Sequence, residues 1–76
     1  MKAKEMFEEL KYEQTYCNIG LIEYRDNVTM KTIQFFNATH CVRIDVDLIQ
    51  NVEELTLSDK EKRAIHQQMK ELGWIE

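Results

Sequence analysis

Residues 41–48, with the sequence CVRIDVDL, alternate strictly between two kinds of side chain. Every second residue is apolar, and the residues between them are a cysteine, an arginine and two aspartates. This period of two predicts a β-strand with one buried face and one wet face. A register slip of one residue would bury the aspartates, so this strand strongly specifies how its neighbours pair with it.

Two more strands are predicted before this one, with short turns between them. Residues 19–25 form the first strand, and residues 28–36 form the second. The Asp-Asn pair between these strands tolerates positive φ angles and suits a tight hairpin, and residues 37–39 form the next turn. Residues 11–18 have mixed polarity and are interpreted as a connection.

The second strand has apolar residues on both parities: Ile33 and Phe35 on one, and Val28, Met30 and Phe36 on the other. Two explanations compete. Either the strand is central and carries apolar groups on both faces, or a bulge midway along it exchanges the parity. Without a bulge, one of the two sets faces away from the helices, and an exposed patch of that kind marks an interface.

Helices are predicted at both ends of the chain. Residues 3–10 carry an apolar stripe at the spacing i, i+3, i+4 and i+7. Residues 59–72 form the second helix, which begins with the capping box of Ser58 and Glu61. Gly73 suits the left-handed position that ends a helix.

The ends of the two predicted helices are similar in sequence. Residues 7–12 echo residues 69–74, which indicates that both helices end in the same way and are followed by an aromatic residue. Residues 50–57, between the last strand and the second helix, are compatible with an edge segment, a turn or an ordered loop.

Together these elements predict an α+β fold in the order α-β-β-β-α. Short connections favour a three-stranded antiparallel meander, with both helices packed on one face. The 76 residues are expected to form one small domain, residues 1–76. A domain of this size buries only about 60% of its unfolded surface, so a partner subunit is a common source of added stability.

Charge and hydropathy exclude several classes of function. The formal net charge of −4 disfavours a general electrostatic grip on nucleic acid. No apolar run is long enough to span a membrane, and the acidic start of the chain argues against a signal peptide, so a cytoplasmic protein is expected. The cysteines and histidines lack the spacing of a zinc site or a catalytic pair, so we predict no metal, no cofactor and no enzyme activity.

Two terminal segments resemble a known group of proteins. AKEMFEELKYE near the start and AIHQQMKELGWIE at the end are similar to the ends of small uncharacterised proteins of Gram-positive bacteria and their phages. Those proteins tend to have a glycine before the first aromatic residue, where this chain has Lys11. The resemblance implies a small α/β sandwich-like domain in a bacterial or phage setting, and it implies no activity.

The candidate interface residues are Ile33 and Phe35 on the second strand and Arg43 and Asp45 on the third. Asp45 and Asp47 point to one side of the third strand and have the residue types of a divalent-cation or acid–base site. Arg43 on the same side is a ready partner, so a solvated ion pair is the expected arrangement.

The second helix also has a basic side, formed by Lys60, Lys62, Arg63 and Lys70. Glu61 and Glu71 dilute these charges, and no aromatic residue is interleaved with them. A solvated helix face is therefore expected rather than a nucleic-acid surface.

The function predicted from the sequence is that of a non-enzymatic interaction domain, which binds a protein partner or associates with itself as a homodimer. The alternative is a nucleic-acid-associated accessory protein of a phage or mobile element, which acts through the basic side of the second helix. An enzyme that uses Asp45 and Asp47 is the weakest of the three hypotheses.

Overall fold

The computed structural model describes residues 1–28, 30–46 and 57–75. These residues form two helices and four strands: α1 (Ala3–Glu9), β1 (Tyr12–Cys17), β2 (Leu21–Asp26), β3 (Lys31–Phe36), β4 (Cys41–Val46) and α2 (Asp59–Glu71). The strands make one antiparallel sheet in the order β1-β2-β3-β4. The predicted α+β class is confirmed.

The prediction of three strands is wrong, because the residues interpreted as a connection form β1. Tyr12 and Gln14 pair with β2, and the register then shifts between Gln14 and Tyr16. The shift leaves Thr15 as an extra residue, which makes a β-bulge. Tyr12 is buried, whereas the residues after Gln14 are exposed. An edge strand with a bulge has no clean period of two, so the pattern of polarity could not find it.

The strand β3 begins later than predicted, at Lys31. Val28 is 81% exposed and belongs to the turn. Met30 has a φ of 61°, and its backbone N–H donates to the carbonyl of Asp26 at 2.8 Å. The hairpin loop between β2 and β3 is therefore longer than the two-residue turn that the Asp-Asn pair suggested.

Of the two explanations for the apolar pattern of β3, the central strand with apolar groups on both faces is the one observed. The pairing of β3 with β2 and with β4 runs without a register shift, so this strand is central and has no bulge. Ile33 and Phe35 lie on the face that the helices cover, and Phe36 lies on the other face.

The core lies between this face of the sheet and the two helices. Phe7 of α1 is at its centre, because its ring stacks on Tyr24 at a centroid distance of 4.0 Å and meets Phe35 edge-on at 6.1 Å. Aromatic pairs in these arrangements add to the hydrophobic gain of burial. The buried apolar residues are Ala3, Phe7, Tyr12, Ile22, Tyr24, Ile33, Phe35, Ala64 and Ile65.

The boundaries of α2 follow the predicted signals. The Ser58 hydroxyl accepts from the backbone of Glu61 at 3.1 Å, and the Glu61 carboxylate accepts from the backbone of Ser58 at 3.0 Å. Gly73 has a φ of 78°, and the Trp74 N–H donates back to the carbonyl of Met69 at 3.0 Å. This last bond is the one expected of a Schellman motif.

The first helix ends at a left-handed residue as well, although that residue is Lys11. Its φ is 72°, and its N–H donates to the carbonyl of Glu8 at 3.0 Å. Gly73 makes the equivalent bond to Lys70 at 3.0 Å. The sequence echo thus reflects two helix ends with one geometry, and Lys11 carries backbone strain that a glycine would avoid.

Several predictions fall on residues 47–56, which lie outside the described residues. They concern Asp47, the end of the third predicted strand, and the alternatives for residues 50–57. Within that last range only Leu57 is described, and it packs against the core.

Candidate interaction surface

The face of the sheet opposite the helices, here called the open face, is covered by neither α1 nor α2. Side chains directly opposite each other on neighbouring strands share a face, so the strand register identifies its members. They are Glu13, Tyr16, Leu21, Glu23, Arg25, Thr32, Gln34, Phe36, Cys41, Arg43 and Asp45.

Two of the four predicted interface residues are not on this face, which corrects the prediction. Ile33 and Phe35 are fully buried. They pair directly with Tyr24 and Ile22, whose side chains also point toward the helices. Ile33 and Phe35 are therefore core residues and contribute nothing to an exposed patch.

Arg43 and Asp45 do lie on the open face. The Nε of Arg43 is 3.0 Å from Oδ2 of Asp45, and the two side chains are 66% and 45% exposed. An exposed pair of this kind adds little to stability, so both charges remain accessible to a partner. Asp47, the other half of the proposed carboxylate pair, lies outside the described residues.

A row of apolar side chains crosses the open face at the end where β2 begins. Leu21 pairs with Phe36, and Phe36 pairs with Cys41, so the three are direct neighbours on adjacent strands. Leu21 and Phe36 are half-buried, and Cys41 is exposed. Tyr16, 49% exposed, and Ile19, 93% exposed, lie at the same end. These five residues are called the turn-end patch.

Ile19 is held in its exposed position by an ordered turn. The side-chain oxygen of Asn18 accepts from the backbone N–H groups of Gly20 and Leu21, each at 2.8 Å. Asn37 of the next turn donates its backbone N–H to Gly20 at 3.0 Å and its side-chain amide to Ile19 at 3.3 Å. The two turns thus support each other, and Ile19 projects from a fixed backbone.

Trp74, which follows α2, supports these turns from the side of the sheet that the helices cover. The indole Nε1 of Trp74 donates to Oδ1 of Asn37 at 2.7 Å. The indole ring also stacks on His40 at a centroid distance of 5.0 Å and lies 6.2 Å from the ring of Phe35. Trp74 therefore connects the core to the turn that carries Asn37.

A fixed negative charge lies beside the patch. Glu23 accepts hydrogen bonds from the hydroxyl of Thr15 and from the amide of Gln34, both at 2.7 Å. The bonds from Thr15 and Gln34 hold the pKa of the Glu23 carboxyl below its usual value. The carboxylate is thus ionised and oriented at neutral pH.

The largest pKa shifts lie elsewhere, in contacts that hold α2 on the sheet. Burial and the hydrogen bond to Glu61 raise the pKa of Tyr12, whose hydroxyl donates to that carboxylate at 2.6 Å. Burial alone would raise the pKa of Glu61, but hydrogen bonds from Tyr12, Ser58 and Lys31 outweigh it and keep that pKa low. Burial raises the pKa of Tyr24 to about 12. Each group has a partner, so these shifts reflect structural bonds.

The cysteines and histidines are dispersed over the molecule. Cys17 and Cys41 are free thiols on the two edge strands, about 14 Å apart across three strand spacings, which is too far for a disulfide. His40 lies against Trp74, and His66 is exposed on α2. No group of three or more His, Cys, Asp or Glu among the described residues could hold a metal ion.

Sequence reasoning identified only part of the turn-end patch. It placed Phe36 in one of two alternative outward sets, and it did not single out Leu21 or Ile19. The Asn18 and Gly20 pair was the available signal, because these residue types favour a turn and leave the residue between them at its tip.

No protein-family model, curated protein or solved structure matches this chain. The resemblance of the two terminal segments therefore stays a prediction. Among the described residues, neither helix has the length and apolar character needed to cross a membrane.

Proposed function

We propose that this chain is a non-enzymatic interaction domain that binds a protein partner, or a second copy of itself, through the turn-end patch. The observation that carries the proposal is Ile19, which is 93% exposed yet fixed by the hydrogen bonds of its turn. An apolar side chain on a fixed backbone requires less ordering of the chain on binding, so it is suited to anchor a contact.

The surroundings of the patch support this proposal. Leu21, Phe36 and Cys41 give it a continuous apolar centre. Glu23 and the Arg43–Asp45 pair form a polar border of both charge signs. Specific protein interfaces combine an apolar centre with a polar rim in this way.

A reducing compartment such as the cytoplasm is part of the proposal. Cys17 and Cys41 are both exposed, free thiols. Exposed thiols persist where glutathione and thioredoxin keep them reduced. Cys41 belongs to the patch itself, so its oxidation would change the proposed contact surface.

Site-specific photo-crosslinking tests the proposal. A photoreactive amino acid replaces Ile19 in one variant and Val28 in a matched control. Both positions are exposed apolar turn residues, at opposite ends of the sheet. We expect a discrete crosslinked species from position 19 only, and we expect the additional change Phe36→Ala to reduce it.

The mass of the product separates the two kinds of partner. Twice the mass of the chain means a second copy, and any other discrete mass means a different protein. Equal products from both positions, or no product from either, would contradict the proposed surface.

A further inference from the structure

The outward side of α2 carries a second surface that the proposed function does not use. Lys60, Lys62, Arg63, His66 and Lys70 are all exposed on this helix. Residues three or four apart share one face of a helix, so positions 62, 63, 66 and 70 form a continuous stripe. With Lys60 at its edge, this set is called the basic face.

The acidic residues expected to dilute the basic face are turned away from it. Glu61 points toward the sheet, where it accepts from Tyr12 at 2.6 Å and from Lys31 at 3.1 Å. Glu71 points toward α1, where it accepts the backbone N–H of Ala3 at 2.7 Å. Both carboxylates are thus engaged in holding the helices and the sheet together.

Two acidic residues of α2 are exposed: Glu71, its last residue, and Asp59, which lies in the first turn at the end of the stripe. An acidic side chain at that end complements the helix dipole. From Lys62 to Lys70 the helix contains no acidic residue at all. The positive charge therefore extends without interruption over more than two helical turns.

The cations of the basic face form no ion pairs among the described residues, unlike Lys31 and Arg43. Lys31 and Arg43 form ion pairs at 3.1 and 3.0 Å. Among the described residues, no acidic group lies within ion-pair distance of Lys62, Arg63 or Lys70. Their charges are thus available to an external anion.

We infer that the basic face binds the phosphate backbone of double-stranded nucleic acid without sequence preference. A row of lysine and arginine side chains contacts phosphates, which position a protein on a duplex and carry no sequence information. The surplus of acidic residues elsewhere on the chain repels the backbone, which favours approach of the duplex to the basic face.

The composition of the basic face distinguishes a duplex from other polyanions. It contains no aromatic residue for stacking on unpaired bases, which single-strand binding surfaces use. It contains no exposed apolar residue for insertion into a lipid surface, because Ala64 and Ile65 are buried. The basic face points away from the sheet, so it could act while the turn-end patch is occupied.

The salt dependence of binding to a short mixed-sequence DNA duplex tests the inference by fluorescence anisotropy. Four cations that each neutralise one phosphate give a slope of log K against log salt of about −3.6. Arg63→Ala and Lys70→Ala should each make that slope shallower by about 0.9. Alanine is a strong helix former, so these variants are expected to remain folded.

Charge reversal at two exposed sites provides the matched control. Arg63→Glu and Lys4→Glu change the net charge equally, and Lys4 is exposed on α1. We expect Arg63→Glu to weaken duplex binding roughly tenfold or more, because it removes a phosphate contact and adds repulsion. Lys4→Glu should leave the affinity within about twofold, since only charges near the backbone release counterions.

Four outcomes would overturn the inference. They are no binding by the wild-type chain at low salt, equal losses for Arg63→Glu and Lys4→Glu, tighter binding to the separated single strand, and tighter binding to anionic vesicles. Unchanged slopes for the two alanine variants would likewise contradict the assignment of these residues. Because the turn-end patch is intact in every variant, these results are independent of the crosslinking test.

Discussion

The hydroxyl of Tyr24 donates a 2.6 Å hydrogen bond to Oε1 of Gln68 inside the core. The same hydroxyl accepts a 3.2 Å bond from Nε2 of Gln14, so one group connects β1, β2 and α2. Tyr24 is 1% exposed and Gln68 is 5% exposed. A buried polar side chain needs such partners, and this requirement fixes the rotation of α2 about its own axis.

Tyr24→Phe should therefore lower the free energy of unfolding by about 1–3 kcal/mol, because it leaves the buried amide of Gln68 without its donor. Urea denaturation measures the change. Tyr16→Phe is the control, since that hydroxyl accepts from Asn18 at 2.8 Å at an exposed site. The control should cost less than about 0.5 kcal/mol. Equal costs would contradict a special role for the buried bond.

Glu61 should make stability depend on pH in the acidic range. Its folded pKa lies below the ordinary value of 4.5, so the ionised form stabilises the fold. That contribution is complete above pH 4.5 and is lost as the pH falls through the lower folded pKa. Glu61→Gln should remove this part of the pH dependence and destabilise the protein by about 1–3 kcal/mol at neutral pH.

Chemical denaturation at a series of pH values measures both effects of Glu61→Gln. Glu9→Gln, on the exposed side of α1, is the matched control and should change little. The prediction is wrong if the free energy of unfolding falls by the same amount in Glu61→Gln, Glu9→Gln and the wild type between about pH 6 and pH 3.

Lys11 and Gly73 should respond in opposite ways to substitution. Lys11→Gly should stabilise the chain by about 0.5–1 kcal/mol, because glycine adopts a φ of 72° without strain. Gly73→Ala should destabilise it by about 1 kcal/mol through φ alone, since an added Cβ meets no atom within 4 Å. Thermal and urea unfolding report both changes, and a destabilised Lys11→Gly variant would show that the lysine side chain matters more than its backbone.

Ile33→Val should destabilise the fold by about 0.5–1.5 kcal/mol without changing any association, because Ile33 is a buried core residue. Ile19→Val is the matched control, since Ile19 is 93% exposed, and it should leave unfolding unchanged. Denaturation curves at several protein concentrations test this. If Ile33→Val weakens self-association without lowering the free energy of unfolding, Ile33 is an interface residue and not a core residue.

Local signals predicted those parts of the fold whose stabilising contacts are close in sequence. The capping box of Ser58 and Glu61 spans three residues and depends on their own hydrogen bonds. The strand at residues 41–46 was recognisable because its side chains alternate along the chain itself. By contrast, β1 is defined by its pairing with β2 and by a bulge, and neither leaves a periodic pattern.

Residue spacing along a helix or strand is a local property, so the amino-acid pattern alone indicated which side chains share a face. It placed Ile33 and Phe35 in one set and Phe36 in another, and it marked a basic side on α2. Which set is buried, and where Glu61 and Glu71 point, follows from how the helices pack on the sheet. The reason is that burial depends on the free energy of the whole core. Both helices pack on one face of the sheet, where Phe7 and Tyr24 meet, and the side chains on that face become buried.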